Sequence, residues 1–214
     1  MQLIVIAKQP VPGRVKTRLC PPCTHQEAAA IAEAALADTL ETVHAVSGVD
    51  PVVVLDGEAG PWLPSGTRVV PQHGAGLAGR LAFAFDEVGG PALLIGMDTP
   101  QVSAGLLGSA CDRLATDADA VIGPALDGGW WAIGLRRPDG GIFTDVPMST
   151  DRTHEVQRAR LRERSLRVAD LPALRDVDRA ADAAEVACEV PGSRFAAAVA
   201  SSPIGRSLAL GNAS

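Results

Sequence analysis

The sequence has little that suits a membrane, a nucleic acid or a disulfide framework. Its 214 residues include 4 Cys, no Tyr and only 3% aromatic residues. No apolar run reaches membrane-spanning length, and the apolar segment near Met1 is too short for a signal peptide and lies before Lys8. The net charge of -6 gives no basic field for nucleic acid or anionic lipid. We therefore expect a cytoplasmic protein that binds neither, and the oligomeric state stays open.

The cysteines are too few and too scattered to predict a metal or disulfide site. Cys20 and Cys23 form a Cys-Pro-Pro-Cys pair, whereas Cys111 and Cys188 are isolated. Such a pair can be redox-active or half of a zinc site, but no second pair has zinc spacing. We expect Cys20 and Cys23 to be ordinary loop thiols.

Short apolar runs alternate with helical patterns along the chain. Strands are predicted at 3–7, 51–55, 67–70, 92–95, 120–123, 130–135 and 166–169, and helices at 24–45, 81–88, 103–115 and 151–164. This alternation indicates an α/β fold, a three-layer αβα sandwich with a mostly parallel sheet. A hydrophobic content of 47% fits one domain. We place that domain at residues 1–190 and a helical, frayed tail at 191–214.

A basic loop follows the first predicted strand. It reads AKQPVPGRVKTRL over residues 7–19 and carries Arg14, Lys16 and Arg18. Strand, Gly/Pro-punctuated loop and helix is the layout of an anion site, in which backbone amides and basic side chains face a phosphate. Scattered solvated charges are the alternative for a basic triplet alone. In an acidic protein, a local basic loop favours a small anionic ligand over a polymer.

Asp98 leaves the carboxyl end of the fourth predicted strand, within Gly-Met-Asp-Thr-Pro. In an open parallel sheet, ligands bind outside the carboxyl ends of the strands, so Asp98 and the basic loop should share one edge. A carboxylate beside a phosphate site suits Mg²⁺ or Mn²⁺. The alternative is a turn aspartate that caps the helix after Pro100.

The pattern Lys-x-Pro-x-Pro-Gly-x-Val-Lys-Thr-Arg-Leu at 8–19 resembles the opening signature of an uncharacterised bacterial family. That family belongs to the GT-A (nucleotide-diphospho-sugar transferase) superfamily, and some members are called arsenosugar-biosynthesis glycosyltransferases. The pattern is also similar, more distantly, to the opening of 2-phospholactate guanylyltransferases. The resemblance runs to about Cys188 and implies the GT-A fold, with a metal at Asp98. It implies nucleotide binding by loop residues Lys8, Gly13, Arg14, Lys16 and Arg18.

Three further segments resemble elements of the same family. Asp176-Val177-Asp178 is similar to its Asp-x-Asp segment, and in an extended chain residues at i and i+2 point the same way. Both aspartates are therefore metal candidates. We prefer Asp176, because Asp178 is also suited to cap a helix. Gly79 and Arg80 lie in a glycine-rich segment that resembles a base or ribose contact, and we expect this segment to be a loop up to residue 80.

The third such segment, Asp127-Gly128-Gly129-Trp130-Trp131, resembles the family's Asp-Gly-Gly-Tyr element. Strand alternation puts the two tryptophans on opposite faces, and we assign Trp130 to the pocket and Trp131 to the core. Asp127 is a candidate general base or acceptor contact, with a turn aspartate as the alternative.

These residues support three functions. The first is a Mg²⁺- or Mn²⁺-dependent transferase, specifically a glycosyltransferase moving a sugar from a nucleotide-diphospho-sugar to a small acceptor, with Lys16 stabilising charge. The second is a nucleotidyltransferase that joins a nucleoside triphosphate to a small phosphorylated acceptor and releases pyrophosphate. The third is a catalytically silent nucleotide-binding protein.

Overall fold

The computed structural model describes residues 1–211 of the chain; the last part of the predicted frayed tail, residues 212–214, lies outside them. The strands are β1 Gln2–Lys8, β2 Asp50–Asp56, β3 Arg68–Pro71, β4 Ala92–Gly96, β5 Ala120–Pro124, β6 Trp130–Leu135 and β7 Val168–Asp170. The helices are α1 His25–His44, α2 Gly76–Val88, α3 Ala104–Thr116, α4 Thr153–Glu163, α5 Ala180–Glu189, α6 Arg194–Ser201 and α7 Pro203–Gly211. Short 3₁₀ turns cover Thr17–Leu19 and Gly140–Phe143.

The seven described strands form one sheet in the order β3-β2-β1-β4-β6-β5-β7. Neighbouring strands are parallel except β6, which runs antiparallel to both β4 and β5. The predicted α/β fold with a mostly parallel sheet is therefore confirmed. Because β6 is reversed, its first residue, Trp130, lies at the edge where β1 and β4 end.

Both faces of the sheet are covered, as a parallel sheet of this kind requires. On one face Leu36 and Leu40 of α1 and Leu107 of α3 pack with Leu3 and Val5. A second cluster on the other face combines residues of α2, α4 and the second 3₁₀ turn with Ile4, Val52 and Leu94. Alternate residues of β1 thus enter opposite layers of the sandwich.

Helix α1 begins at a capping box. The Thr24 hydroxyl accepts a hydrogen bond from the Glu27 amide, and the Glu27 carboxylate accepts one from the Thr24 amide. Helix α2 begins at Gly76, so the prediction of a loop up to residue 80 was wrong. The buried side chains Leu81, Ala84 and Phe85 lie on one helical face, and their burial outweighs the low helix propensity of Gly76 and Gly79.

The C-terminal helices close a third apolar cluster. Phe195, Val199 and Ile204 are buried against Ile31 of α1 and Leu19 of the basic loop. The last part of the chain therefore packs against the basic loop and helps to fix its position. The division at residue 190 between domain and tail stays a prediction. No helix within residues 1–211 is both long and apolar enough to cross a bilayer.

Candidate active site

A cleft of about 770 Å³ lies at the carboxyl edge of the sheet. The predicted residues that line it are Lys8, Arg14, Lys16, Arg18, Arg80, Asp98, Asp127, Trp130, Asp176 and Asp178. The strand order explains this meeting, because β1 and β4 are parallel neighbours and their loops leave at the same edge. The basic loop and the acidic residues thus share one cavity, as their positions after the strands predict.

The Lys16 side chain is buried between Asp98 and the backbone at Val177. Its backbone is left-handed, with φ 47°, and its side chain is 6% exposed. The ammonium Nζ lies 2.6 Å from Asp98 Oδ1 and also donates a hydrogen bond to the carbonyl oxygen of Val177. Lys16 therefore neutralises Asp98 instead of facing open solvent.

Asp176 is brought to the cleft by an extended segment beside the ends of β4 and β5. The Leu174 amide donates to the carbonyl of Pro124 at 3.1 Å, and the Val177 amide donates to the carbonyl of Asp98 at 2.9 Å. The pKa of Asp176 is raised to about 7, chiefly by burial and then by the nearby charges of Asp98 and Asp127, while Lys16 opposes them. A cation that neutralised these carboxylates would relieve that repulsion.

The family resemblance implies a divalent metal, and the donor set in the cleft fits one. Asp98 and Asp176 supply carboxylate oxygens, the ligands that Mg²⁺ and Mn²⁺ prefer. Within residues 1–211 no three His, Cys, Asp or Glu side chains converge closely enough to hold an ion by themselves. The protein would therefore contribute one or two carboxylates, and phosphate oxygens and water would supply the rest, as is usual for Mg²⁺ beside phosphates.

Asp178 points toward the basic loop and does not cap a helix. Its Oδ2 lies 2.7 Å from Arg18 Nη1 in a solvent-exposed ion pair. Helix α5 is capped instead by Asp182, whose carboxylate accepts the amides of Asp178 and Arg179. The alternative of Asp178 as a helix cap was wrong, since the residue precedes the cap position by one.

Arg80 is held in the cleft wall by two residues that sequence reasoning missed. Its Nη1 lies 2.9 Å from Asp56 Oδ2 and 3.1 Å from Gln72 Oε1. The Gln72 amide nitrogen donates to the carbonyls of Ala7 and Val54. No local pattern marks Asp56 or Gln72 for this role, because their contacts join segments that are distant in the chain.

Two predicted glycines lie outside the cleft wall. Gly13 is exposed, with φ 78°, and shapes the turn before Arg14. Gly79 lies in α2, where a Cβ at Gly74 would approach its carbonyl carbon to 2.5 Å. Neither is among the residues that line the cleft, and their role as nucleotide contacts stays a prediction.

The far end of the cleft is formed by the β5–β6 turn and the residues before α4. Asp127 Oδ1 accepts the Gly129 amide at 2.8 Å, which is the turn geometry of the alternative assignment, yet Asp127 also lines the cleft. Trp131 is 2% exposed, and its indole donates to the carbonyl of Pro172. Trp130 lines the cleft, and its ring is tilted against that of Phe143, with the ring centroids 6.2 Å apart. The placement of the two tryptophans on opposite faces agrees with the prediction.

The Cys-Pro-Pro-Cys segment packs away from this chemistry. Cys23 is buried in the cluster of α1, α5 and α6, and burial raises the pKa of its thiol, which disfavours the reactive thiolate. That Cys20 and Cys23 are dispensable stays a prediction.

Comparisons with known proteins agree with this fold. A family model described as uncharacterized protein conserved in bacteria (DUF2064) matches residues 30–150. A crystal structure of a candidate nucleotide-diphospho-sugar transferase from Desulfovibrio desulfuricans G20 superposes with a TM-score of 0.81 at 26% identity, over 99% of this chain and 95% of that one. A search of curated proteins finds no match.

Two more distant structures share the fold. The CMP:2-keto-3-deoxy-manno-octonic acid synthetase complexed with CTP has a TM-score of 0.55 at 12% identity, over 86% of this chain and 95% of that one. Rv0371c from Mycobacterium tuberculosis H37Rv, in complex with manganese, has a TM-score of 0.51 at 20% identity, over 86% of this chain and 96% of that one. The chain belongs to the DUF2064 family and has the GT-A-like fold of nucleotide-utilising transferases.

Proposed function

We propose that this protein is a Mg²⁺- or Mn²⁺-dependent glycosyltransferase that moves a sugar from a nucleotide-diphospho-sugar to a small acceptor. The observation that supports it is the meeting of Lys16, Asp98 and Asp176 in one cleft at the carboxyl edge of the sheet. One structure similar to this chain, at 26% identity, is a candidate nucleotide-diphospho-sugar transferase. A related fold has been solved with manganese, which makes Mn²⁺ a sensible test ion.

The nucleotide would lie over the end of β1. Lys8, Arg14 and Arg18 line this part of the cleft, and Arg80 lies beside them on α2. Basic side chains and loop amides stabilise the charge that develops on a departing diphosphate. A metal held by Asp98 and Asp176 would supply further positive charge to the same oxygens.

The acceptor would enter at the other end, near Asp127 and Trp130. Asp127 uses one oxygen to accept the Gly129 amide, which fixes the carboxylate. Its second oxygen is then oriented to accept the proton of an acceptor hydroxyl. A nucleotidyltransferase would use the same basic loop. Product analysis separates the two functions, since only a nucleotidyltransferase releases pyrophosphate from a nucleoside triphosphate.

Calorimetric titration tests the metal site through binding. Adding Mn²⁺ should raise the affinity of the wild-type protein for nucleoside diphosphates. Asp98→Asn should abolish most of that gain, and its metal-free affinity should be unchanged or slightly improved, because Lys16 loses its internal partner. Asp139→Asn removes a carboxylate paired with Arg164 outside the cleft and should behave like wild type.

Lys16→Ala should weaken nucleotide binding with or without metal, by about 1–3 kcal/mol for a lost charge-assisted contact. Its loss also leaves Asp98 uncompensated, which adds negative potential beside the phosphates. If Mn²⁺ leaves the wild-type affinity unchanged, the metal site is not built from Asp98, and a silent nucleotide-binding protein becomes the better description.

A further inference from the structure

The charges of the cleft are divided along the sheet edge. The five basic residues that line it end or follow β1 or lie on α2, over the β2–β1 side: Lys8, Arg14, Lys16, Arg18 and Arg80. Of the five acidic lining residues, Asp178 pairs with Arg18, and the other four lie around the ends of β4, β6 and β5: Asp98, Asp127, Asp151 and Asp176. The part of the cleft around Asp127, Trp130 and residues 148–151, here called the acceptor half, has no Lys or Arg in its described wall.

A bound metal would leave the acceptor half acidic. It would neutralise Asp98 and Asp176, whereas Asp127 and Asp151 form no ion pair among residues 1–211. The neighbouring Arg152 lies outside the cleft wall, paired with Glu155 at 3.6 Å. Burial lowers the pKa of His154, which keeps this imidazole neutral near pH 7.

The turn that carries Asp127 packs tightly against the segment that carries Asp151. Gly128 has φ 90°, and a Cβ there would approach the carbonyl oxygen of Asp151 to 2.1 Å. The His154 amide donates to the Gly128 carbonyl at 2.9 Å. The backbone of the turn bearing Asp127 and that of the segment bearing Asp151 are thus held together.

The same half offers apolar contacts and hydroxyl chemistry. Trp130 and Met148 supply apolar surface, and Ser149 and Thr150 line the cleft beside them. The Thr99 hydroxyl, on a residue 1% exposed, and the Trp130 indole nitrogen lack a hydrogen-bond partner within the described chain. A ligand with several hydroxyl groups can both donate and accept here.

We propose that the acceptor is a neutral or cationic hydroxyl compound without phosphate or carboxylate groups, a polyol or an amino sugar in its chemistry. This rests on the proposed function and narrows it. An anionic acceptor would lie beside Asp127, Asp151 and the donor's diphosphate, and like charges in a cleft oppose binding. In the transfer, the acceptor oxygen bonds to the anomeric carbon as the bond from that carbon to the diphosphate breaks. The electron pair leaves with the nucleoside diphosphate, and the hydroxyl proton passes to Asp127.

Collisional quenching reads the charge of the acceptor half without a known acceptor. Trp130 lines the cleft, whereas Trp62 and Trp131 are 8% and 2% exposed. The part of the tryptophan fluorescence that is lost in Trp130→Phe therefore comes from the cleft. With Mg²⁺ and a nucleoside diphosphate present, caesium should quench this component better than iodide, relative to free N-acetyltryptophanamide, by about twofold or more. Asp127→Asn/Asp151→Asn should remove the preference, and Glu155→Gln, outside the cleft, should keep it. Equal quenching by the two ions would overturn the proposal.

Matched sugars test the acceptor class directly. Glucose and glucosamine should be used at least about tenfold better than glucose 6-phosphate, a difference that Asp151→Asn should reduce. Preference for the phosphorylated sugar would refute the proposal even if Mn²⁺-dependent nucleotide binding is intact. Absence of that binding would refute the proposed function instead, while the quenching ratio would still report on the acceptor half. If none of the three sugars is a substrate, the quenching ratio decides.

Discussion

At the scale of single residues, Asp176 predicts how stability depends on pH. Its pKa is raised from 3.8 to about 7, chiefly by burial and then by Asp98 and Asp127. The folded state therefore binds this proton more tightly than the unfolded state, so the stabilisation is complete below about pH 4 and is lost as pH rises through about 7. Urea unfolding of the metal-free protein should show a loss of about 1–3 kcal/mol across that window.

Asp176→Asn should flatten this pH dependence, since the amide cannot ionise. Asp139→Asn, outside the cleft, should keep the wild-type slope, and saturating Mn²⁺ together with a nucleoside diphosphate should restore stability at pH 8 in the wild type. A wild-type slope in Asp176→Asn would show that the proton is bound elsewhere.

The sequence predicts which residues reach the cleft better than what they do there. Asp98 and the basic loop converge because both follow parallel strands, and that step needs only strand assignments. The buried Lys16 ammonium pairs with Asp98 and donates a hydrogen bond to the carbonyl of Val177, which is 161 residues away in the chain. No local pattern encodes these contacts. The Gln72–Arg80–Asp56 network was missed for the same reason.

At the scale of the element, the β5–β6 turn depends on a residue without a side chain. Gly128→Ala would introduce a Cβ 2.1 Å from the Asp151 carbonyl oxygen at φ 90°. We expect a loss of stability of about 2 kcal/mol or more, and loss of transfer, because the acceptor wall must move. Nucleotide binding over β1 should survive, as calorimetry would show.

Gly192→Ala is the matched control for that change. Gly192 also has φ 90°, but a Cβ there would meet nothing within 4 Å. It carries the backbone strain alone, so the difference in unfolding free energy between the two variants isolates the contact with Asp151. Equal losses would mean that the contact contributes nothing.

At the scale of the whole molecule, the last helices complete the core beneath the basic loop. Phe195 is fully buried in the cluster that contains Leu19 and Ile31. Phe195→Ala should cost about 3–5 kcal/mol, as large-to-small changes in cores do. Removal of residues 191–214 should lower the melting temperature by more, and weaken nucleotide binding through the loop. A truncated chain with unchanged melting temperature would support an independent domain at residues 1–190.

The architecture was predictable because strand and helix patterns alternate strongly, but the ends of individual helices and strands were not. Helix α2 starts at Gly76 because burial of Leu81 and Phe85 overrides glycine's low propensity. The reversal of β6 leaves no local signal, since a buried strand has the same pattern in either direction. Helices α5 and α6 bury Val186 and Phe195 against α1, a distant partner that no local pattern identifies.

The ion pair between Lys16 and Asp98 also bears on the order in which ligands arrive. A divalent cation alone must compete with an ammonium already 2.6 Å from the carboxylate. A cation that arrives with a diphosphate brings the anion to which Lys16 can turn. The two ligands should therefore bind with positive cooperativity, and by thermodynamic linkage each must raise the affinity of the other by the same factor. Free metal alone would leave the carboxylates to the lysine, so the donor itself would recruit the ion.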